Sequence, residues 1–272
     1  MRLKGIIFDW AGTVVDFGSL CPIGAFRSAF QEKGVVVLPE EIHQFMGIHK
    51  CEHIKALLAL PTVQTQWQNL HGRLPDSADV AVLYGLAEGK ILATVADSAT
   101  PTPGLLDALT FARQNDLRIG STTGYTSPLM RKLVPAAARL GYLPEFWIAS
   151  DQVPEGRPAP WMIFRNLEHL KIFPPANVVK VGDTILDVAE ASNAGVWSVA
   201  VVESSSLVGK SEAELAALPK KQRDHLVKKA GRKLAAAGAH YIINNLAELP
   251  ATLEKIERCL EVGKLPPKLA AH

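Results

Sequence analysis

The chain has 272 residues, with 29 lysines and arginines against 27 aspartates and glutamates, for a formal net charge of +2. That balance gives no general argument for a nucleic-acid partner, and 48% hydrophobic with 21% charged residues excludes a disordered chain, a collagen-like repeat and a coiled coil. No apolar run reaches the roughly 18 residues of a membrane span; the sparse cysteines (Cys21, Cys51 and Cys259) and a start too short to be a signal peptide point to a reduced, cytoplasmic setting.

In chain order, Ile6-Ile7-Phe8 is a short apolar run ending in Asp9, the pattern of a buried strand with polar chemistry at its carboxyl end. From about residue 19 to residue 98 no strand pattern occurs. Ile23, Phe26 and Phe30, then Ile54, Leu57 and Leu58, then Leu83, Ala87, Ile91 and Val95 recur at helical spacing, which predicts an all-helical insert. Thr100-Pro101-Thr102-Pro103-Gly104 is the expected hinge back. Helical spacing then marks 105–114, 128–140, 160–170 and 246–260. Strand-like runs mark 117–120, 146–149, 178–181, 197–202 and 241–243.

Strand and helix alternate, so the expected fold class is α/β. A doubly wound parallel-sheet core (1–18 and 99–272) would carry an inserted all-helical domain (19–98). Ligands of such sheets bind beyond the carboxyl ends of the strands. The Lys/Arg-rich segment 219–233 reads as a solvated helix face in preference to a basic patch for an anionic partner, and the tail from Gly263 as loosely held.

Three polar clusters fall at strand ends. Asp9 precedes a turn containing Gly12, whose backbone amides can hold a phosphoryl oxygen; a helix-capping aspartate would look the same. Gly182-Asp183-Thr184-Ile185-Leu186-Asp187 places two acids four residues apart, and converging carboxylates suit Mg²⁺. Ser121, Thr122 and Thr123 offer hydroxyls and amides to a phosphate, and Arg157 offers a fixed positive charge.

This ordered set resembles the haloacid dehalogenase superfamily. The resemblance implies that Asp9 is a nucleophile attacking phosphorus. It implies Mg²⁺ held by Asp9, Asp183 and the backbone carbonyl of Ala11, with Thr13 and Asp187 in support. Ser121, Thr122, Thr123 and Arg157 would bind the phosphoryl group, and the helical insert would be a mobile cap, with crossings near 18–22 and 100–104. Phosphatases of the superfamily carry a second Asp two residues after the nucleophile, which protonates a departing alkoxide. Here that position is Ala11, which cannot donate a proton.

The insert offers an alternative to that acid. Lys50 falls at the expected start of a helix, where the dipole disfavours an ammonium and burial would add to the effect. Both favour a neutral amine that can form a Schiff base. His53, three residues on, could shuttle protons. Asp9-Trp10-Ala11-Gly12-Thr13, the stretch from Met46 to Lys50, Gly120 through Thr126, Gly156-Arg157-Pro158 and Lys180 through Thr184 together resemble the phosphonoacetaldehyde hydrolase family, although Val14 stands where a second Thr is expected. That likeness implies hydrolysis of phosphonoacetaldehyde to acetaldehyde and phosphate by a Mg²⁺-dependent homodimer. Asp9 and Lys50 would be catalytic, and Met46 and Tyr125 would be among the substrate-binding residues.

Other readings are a small-molecule phosphatase of the same superfamily, against which Ala11 speaks, and an inactive phosphometabolite-binding protein, against which Asp9, Asp183 and Arg157 speak. His49, Glu52 and His53 also match a zinc-peptidase pattern, but they follow the break at Gly47 and leave the strand-end acids unexplained. Gly209-Lys210-Ser211 resembles the end of a phosphate-binding loop, but Ser204 stands where that loop needs its first glycine.

Overall fold

The computed structural model describes residues 2–46, 48 and 50–267. Six short runs form one sheet: β1 (Gly5–Phe8), β2 (Arg118–Thr123), β3 (Phe146–Ala149), β4 (Val178–Gly182), β5 (Trp197–Val201) and β6 (Tyr241–Ile243). Every pairing is parallel, in the order β3-β2-β1-β4-β5-β6. Each residue of β1, β4 and β5 is buried, as expected of parallel strands covered on both faces. The register sets Phe8 beside both Ser121 and Val181. The chain therefore leaves the ends of β1, β2 and β4 at one edge, where the strand order reverses about β1 and a crevice opens.

Residues 20–94, between β1 and β2, form five helices: α1 (Leu20–Gln31), α2 (Pro39–His43), α3 (Lys50–Leu58), α4 (Pro61–His71) and α5 (Ser77–Thr94). They bury their own apolar cluster around Phe26, Phe30, Ile54, Leu57, Trp67 and Leu83. Asp76 caps α5 by accepting the N–H groups of Ala78 and Asp79, and Asp16 accepts those of Leu20 and Cys21 at the start of α1. The far end of α5, with Ile91 and Val95, joins the main core. The two chain crossings lie side by side, because Val15 bridges Pro101 and the Thr102 N–H donates to the Val14 carbonyl at 3.0 Å.

The remaining helices are α6 (Leu105–Gln114), α7 (Ser127–Arg139), α8 (Trp161–Leu170), α9 (Ile185–Ala194), α10 (Glu212–Ala217), α11 (Lys220–Ala236) and α12 (Leu249–Glu261). Alternation along β1 sorts them: Ile6 and Phe8 pack with α6, α7 and α12, while Ile7 packs with α8 and α9. The helix expected over 246–260 divides into a 3₁₀ turn, Leu246–Glu248, and α12. Asn245 caps the turn, and Pro250 fits only the first turn of a new helix, where no N–H is needed. The basic segment is α11, which buries only Ala230 and Leu234. Among the described residues no helix is long and apolar enough to cross a membrane, and no disulfide joins the cysteines.

Candidate active site

Asp9 follows β1 directly and is buried, its Oδ1 accepting from Arg157 Nη2 at 2.7 Å. The turn after it presses on Asp183. Gly12 has φ +85°, and a Cβ there would lie 2.6 Å from Asp183 Oδ2, so only glycine lets the turn close. The Thr13 hydroxyl lies 3.2 Å from Asp183 Oδ1 and 3.5 Å from Asp9 Oδ2, tying the two acids together. On its other side Asp183 Oδ2 accepts from the N–H and hydroxyl of Ser206 at 2.9 and 3.0 Å. Ser204 donates to the Gly12 carbonyl at 2.7 Å.

Behind Asp9 lies a buried ionic network. Arg157 reaches Asp9, Asp187 (3.0 Å) and Glu190 (3.0 Å), and Lys180 reaches Asp187 (2.9 Å) and Glu190 (3.6 Å). Burial raises the pKa of Asp9 against the pull of Arg157. Burial, with repulsion from Asp9 and Asp187, drives Asp183 well above the carboxylate range. For Asp187 burial acts upward too, but Arg157 and Lys180 outweigh it and hold the group at about 2. Four acids against two cations leave a formal excess of 4 − 2 = 2 negative charges in a buried region.

Asp9, Asp183 and Asp187 each present a carboxylate oxygen within 4.8 Å of the others. A set of hard oxygen donors with two uncompensated charges fits a divalent cation. Asp187 is already engaged by Arg157, Lys180 and the Thr184 hydroxyl (2.6 Å), which leaves Asp9 and Asp183 to face such an ion. Ala11 lines the same cavity.

Lys180 entered the sequence analysis only as part of a motif, with no role of its own, and Glu190 not at all, although a lysine inside the apolar run Val178-Val179-Lys180-Val181 is a usable signal. The sequence reading also drew nothing functional from the three serines, 204–206. Replacing Lys180 by methionine would leave Asp187 and Glu190 without that buried cation, at a cost of about 3–5 kcal/mol. Urea or thermal unfolding should show a loss of that size; a change under about 1 kcal/mol would mean the network is dispensable to the fold.

Strand β2 runs on through Thr123, beyond the end expected at residue 120. Alternation therefore sends Ser121 and Thr122 to opposite faces instead of into the crevice. The Ser121 hydroxyl accepts from the Trp10 indole at 2.8 Å, and that of Thr122 accepts from Arg157 (2.7 Å) and Lys180 (2.8 Å). Neither residue lines the cavity, in contrast to the phosphoryl contacts expected of them; Thr123 and Arg157 do line it.

The helical block closes over Asp9. Lys50, the first residue of α3, is 8% exposed, and its Nζ lies 4.5 Å from the centre of the Tyr125 ring. Burial lowers its pKa to about 8, against the upward pull of Cys21, Glu88, Asp9 and Asp16. His53 lies one turn on, its ring 4.5 Å from that of Phe26; burial, then Lys50, holds its pKa near 3, so it is neutral at pH 7. Its Nε2 is buried without a hydrogen-bond partner. Asp16, at the crossing, is lifted by burial to about 6. Asp9, Ala11, Thr123, Tyr125, Arg157 and Thr184 from the sheet side and Met46, Lys50 and His53 from the helical side enclose about 40 Å³.

Gly47 and His49 lie outside the described residues. Glu52, of the zinc-peptidase pattern, turns outward to Lys55 at 2.7 Å while His53 is buried, so these two do not share a site. Among the described residues the Asp9 cluster is the one group of three such side chains close enough to hold a metal. In Gly209-Lys210-Ser211 the serine caps the six-residue α10 through the N–H of Glu214.

Comparison with known proteins gives a concordant result. A profile of haloacid dehalogenase-like hydrolases matches residues 3–195. A protein of Syntrophobacter fumaroxidans named phosphonoacetaldehyde hydrolase is 40% identical over 264 residues, covering 97% of this chain and 95% of the relative. One of that name from Parabacteroides distasonis is 41% identical over 256 residues, 94% of this chain and 97% of the relative. The crystal structure of a phosphonoacetaldehyde hydrolase-like protein from Oleispira antarctica superposes with a TM-score of 0.94 at 30% identity, covering 98% of this chain and 96% of the other.

Proposed function

The chain belongs to the phosphonoacetaldehyde hydrolase family of the haloacid dehalogenase-like hydrolases, and we propose that it cleaves the C–P bond of phosphonoacetaldehyde to acetaldehyde and phosphate through a lysine Schiff base and an aspartyl phosphate. The observation that carries this reading is one cavity walled by both a buried, depressed-pKa lysine and a strand-end aspartate, with alanine at position 11. Phosphate release from phosphonoacetaldehyde by the purified protein, with borohydride trapping of a lysine adduct, tests it. A small-molecule phosphatase would release phosphate from esters and leave no trapped adduct.

The C–P bond sets the problem, because a carbanion is too basic to leave unaided. In this reading the neutral amine of Lys50 adds to the aldehyde carbon, and loss of water gives an iminium. Neutral His53, with an unpartnered Nε2, relays the protons of that addition. The Asp9 carboxylate then attacks phosphorus, and the C–P electron pair moves into the iminium, leaving an enamine on Lys50 and a phosphoryl group on Asp9. The enamine carbon takes a proton; hydrolysis of the resulting iminium frees acetaldehyde and restores the amine. Water hydrolyses the aspartyl phosphate. No alkoxide forms, so an acid at position 11 has nothing to protonate.

Arg157 offers positive charge to the phosphoryl oxygens while orienting Asp9, and Met46 and Tyr125 wall the aldehyde end. Mg²⁺ bound by Asp9, Asp183 and the Ala11 carbonyl, with Thr13 and Asp187 in support, would neutralise charge on the transferring group. Exhaustive chelation should abolish turnover and Mg²⁺ should restore it. Full activity after chelation would remove the metal from the scheme.

A pKa near 8 for Lys50 leaves roughly a tenth of the amine neutral at pH 7, against under about a thousandth for a solvated lysine. The pKa is lowered and the neutral form reacts, so kcat/KM should rise with pH and level off above about 8. A profile flat from pH 6 to 9 would count against the amine as the reacting group.

We read residues 19–98 as a cap over a core of 1–18 and 99–272. At about 40 Å³ the cavity holds only a few waters, so substrate binding requires cap and core to part and close again, excluding water while the imine forms. The same reading carries a homodimer in the cytoplasm, and sedimentation of the purified protein tests the dimer.

A further inference from the structure

Two further cavities adjoin the active-site cavity, one beyond the other. The active-site cavity shares Met46, Ile48 and Thr184 with a neighbour of about 220 Å³. That neighbour shares His43, Gln44, Ile185 and Leu207 with a cleft of about 560 Å³. The cleft follows the seam between cap and core, with α1 and α2 on one wall and the loop 207–210 and α11 on the other.

The outer cleft is basic. Arg27 projects from the cap, and Lys210, Lys229 and Lys233 from the core. None of these four side chains forms an ion pair or hydrogen bond among the described residues. Two acids, Glu40 and Glu214, also line it, and Glu214 is turned to the Ser211 hydroxyl at 2.9 Å. At the neck His43 packs on Gly209, whose φ is +60° and whose Cβ, if present, would lie 1.7 Å from the ring. His43 Nε2 is buried there without a hydrogen-bond partner. Glycine thus makes room for an imidazole where the two outer cavities meet.

We propose that this cleft is the port through which the phosphonate dianion reaches Asp9 and through which phosphate leaves; the idea rests on the function proposed above. With four cations against two acids, the cleft is net positive, and such a field concentrates a small anionic ligand and raises its association rate, by about 10- to 1,000-fold in favourable cases. Cations on both walls mark the seam where the cap parts from the core. Beyond His43 at the neck, the middle cavity delivers the anion between Met46 and Thr184 to Asp9.

The test uses the metal-loaded full chain and two variants. Lys229→Glu with Lys233→Glu reverses two exposed charges, and Gln44→Trp fills the neck from an exposed position. Steady-state turnover and stopped-flow association of inorganic phosphate are measured at about 0.01 M and about 0.15 M salt, where the screening length falls from about 30 to about 8 Å. The charge-reversed protein should lose about tenfold in kcat/KM and in phosphate association rate at low salt, keep kcat, and approach wild type at high salt. Gln44→Trp should slow phosphate association and release together, leaving the equilibrium affinity within about twofold. Rates within about twofold of wild type for both variants at low salt, or no phosphate binding by wild type, would overturn the port. If wild type binds phosphate but does not turn over phosphonoacetaldehyde, the proposed function fails and the phosphate kinetics still decide the port.

Discussion

Lys50→Arg should abolish C–P cleavage while leaving the fold in place. Arginine keeps the positive charge and most of the packing against Tyr125, but it stays protonated and cannot condense with an aldehyde. If Lys50 served only to attract the phosphonate, the variant would retain appreciable rate. If it carries the electron sink, no other group makes carbon a viable leaving group, and the loss should exceed roughly 10⁴-fold, about 5 kcal/mol of transition-state stabilisation. Borohydride inactivation should vanish as well. Retention of more than roughly a tenth of the wild-type kcat, a penalty under about 1.4 kcal/mol, would end the Schiff-base reading.

The second large effect is expected of Asp9→Asn. The amide is nearly isosteric, and its oxygen can still accept from Arg157, so the protein should remain folded. An amide has no carboxylate to attack phosphorus, and the loss in kcat should be on the order of 10⁵-fold, or ~7 kcal/mol. Borohydride should still trap the aldehyde on Lys50 in this variant, because the proposed scheme places imine formation before phosphoryl transfer. The two substitutions thus separate the two covalent steps. More than about a hundredth of wild-type turnover in Asp9→Asn would mean that water attacks phosphorus directly.

Local signals carried much of the architecture. Apolar runs such as Ile6-Ile7-Phe8 and Val178-Val179-Lys180-Val181, alternating with helical spacing, fit strands buried on both faces of a parallel sheet, and all six strand-like runs form strands of one sheet. Helical spacing from Ile23 to Val95 likewise left no room for a strand, and five helices occupy it. Lys50 stood out because it falls at a helix start in a chain where position 11 cannot supply an acid.

Other features depend on facing, which no short window of sequence encodes. A strand ending three residues later than expected turned Ser121 toward Trp10 and Thr122 toward Lys180, because side chains alternate between faces. Lys180 and Glu190 lie on different elements and meet only because α9 packs back against β4. The grip of Ser206 on Asp183 bridges 23 positions. The depressed pKa of Lys50 is the clearest case. Its position at the helix start was legible, but burial, the largest cause of the shift, exists only once the helical block closes against Tyr125. Desolvation belongs to the assembled surfaces of two elements that are distant in sequence, so the sequence by itself named the candidate residues and the tertiary structure decided their surroundings.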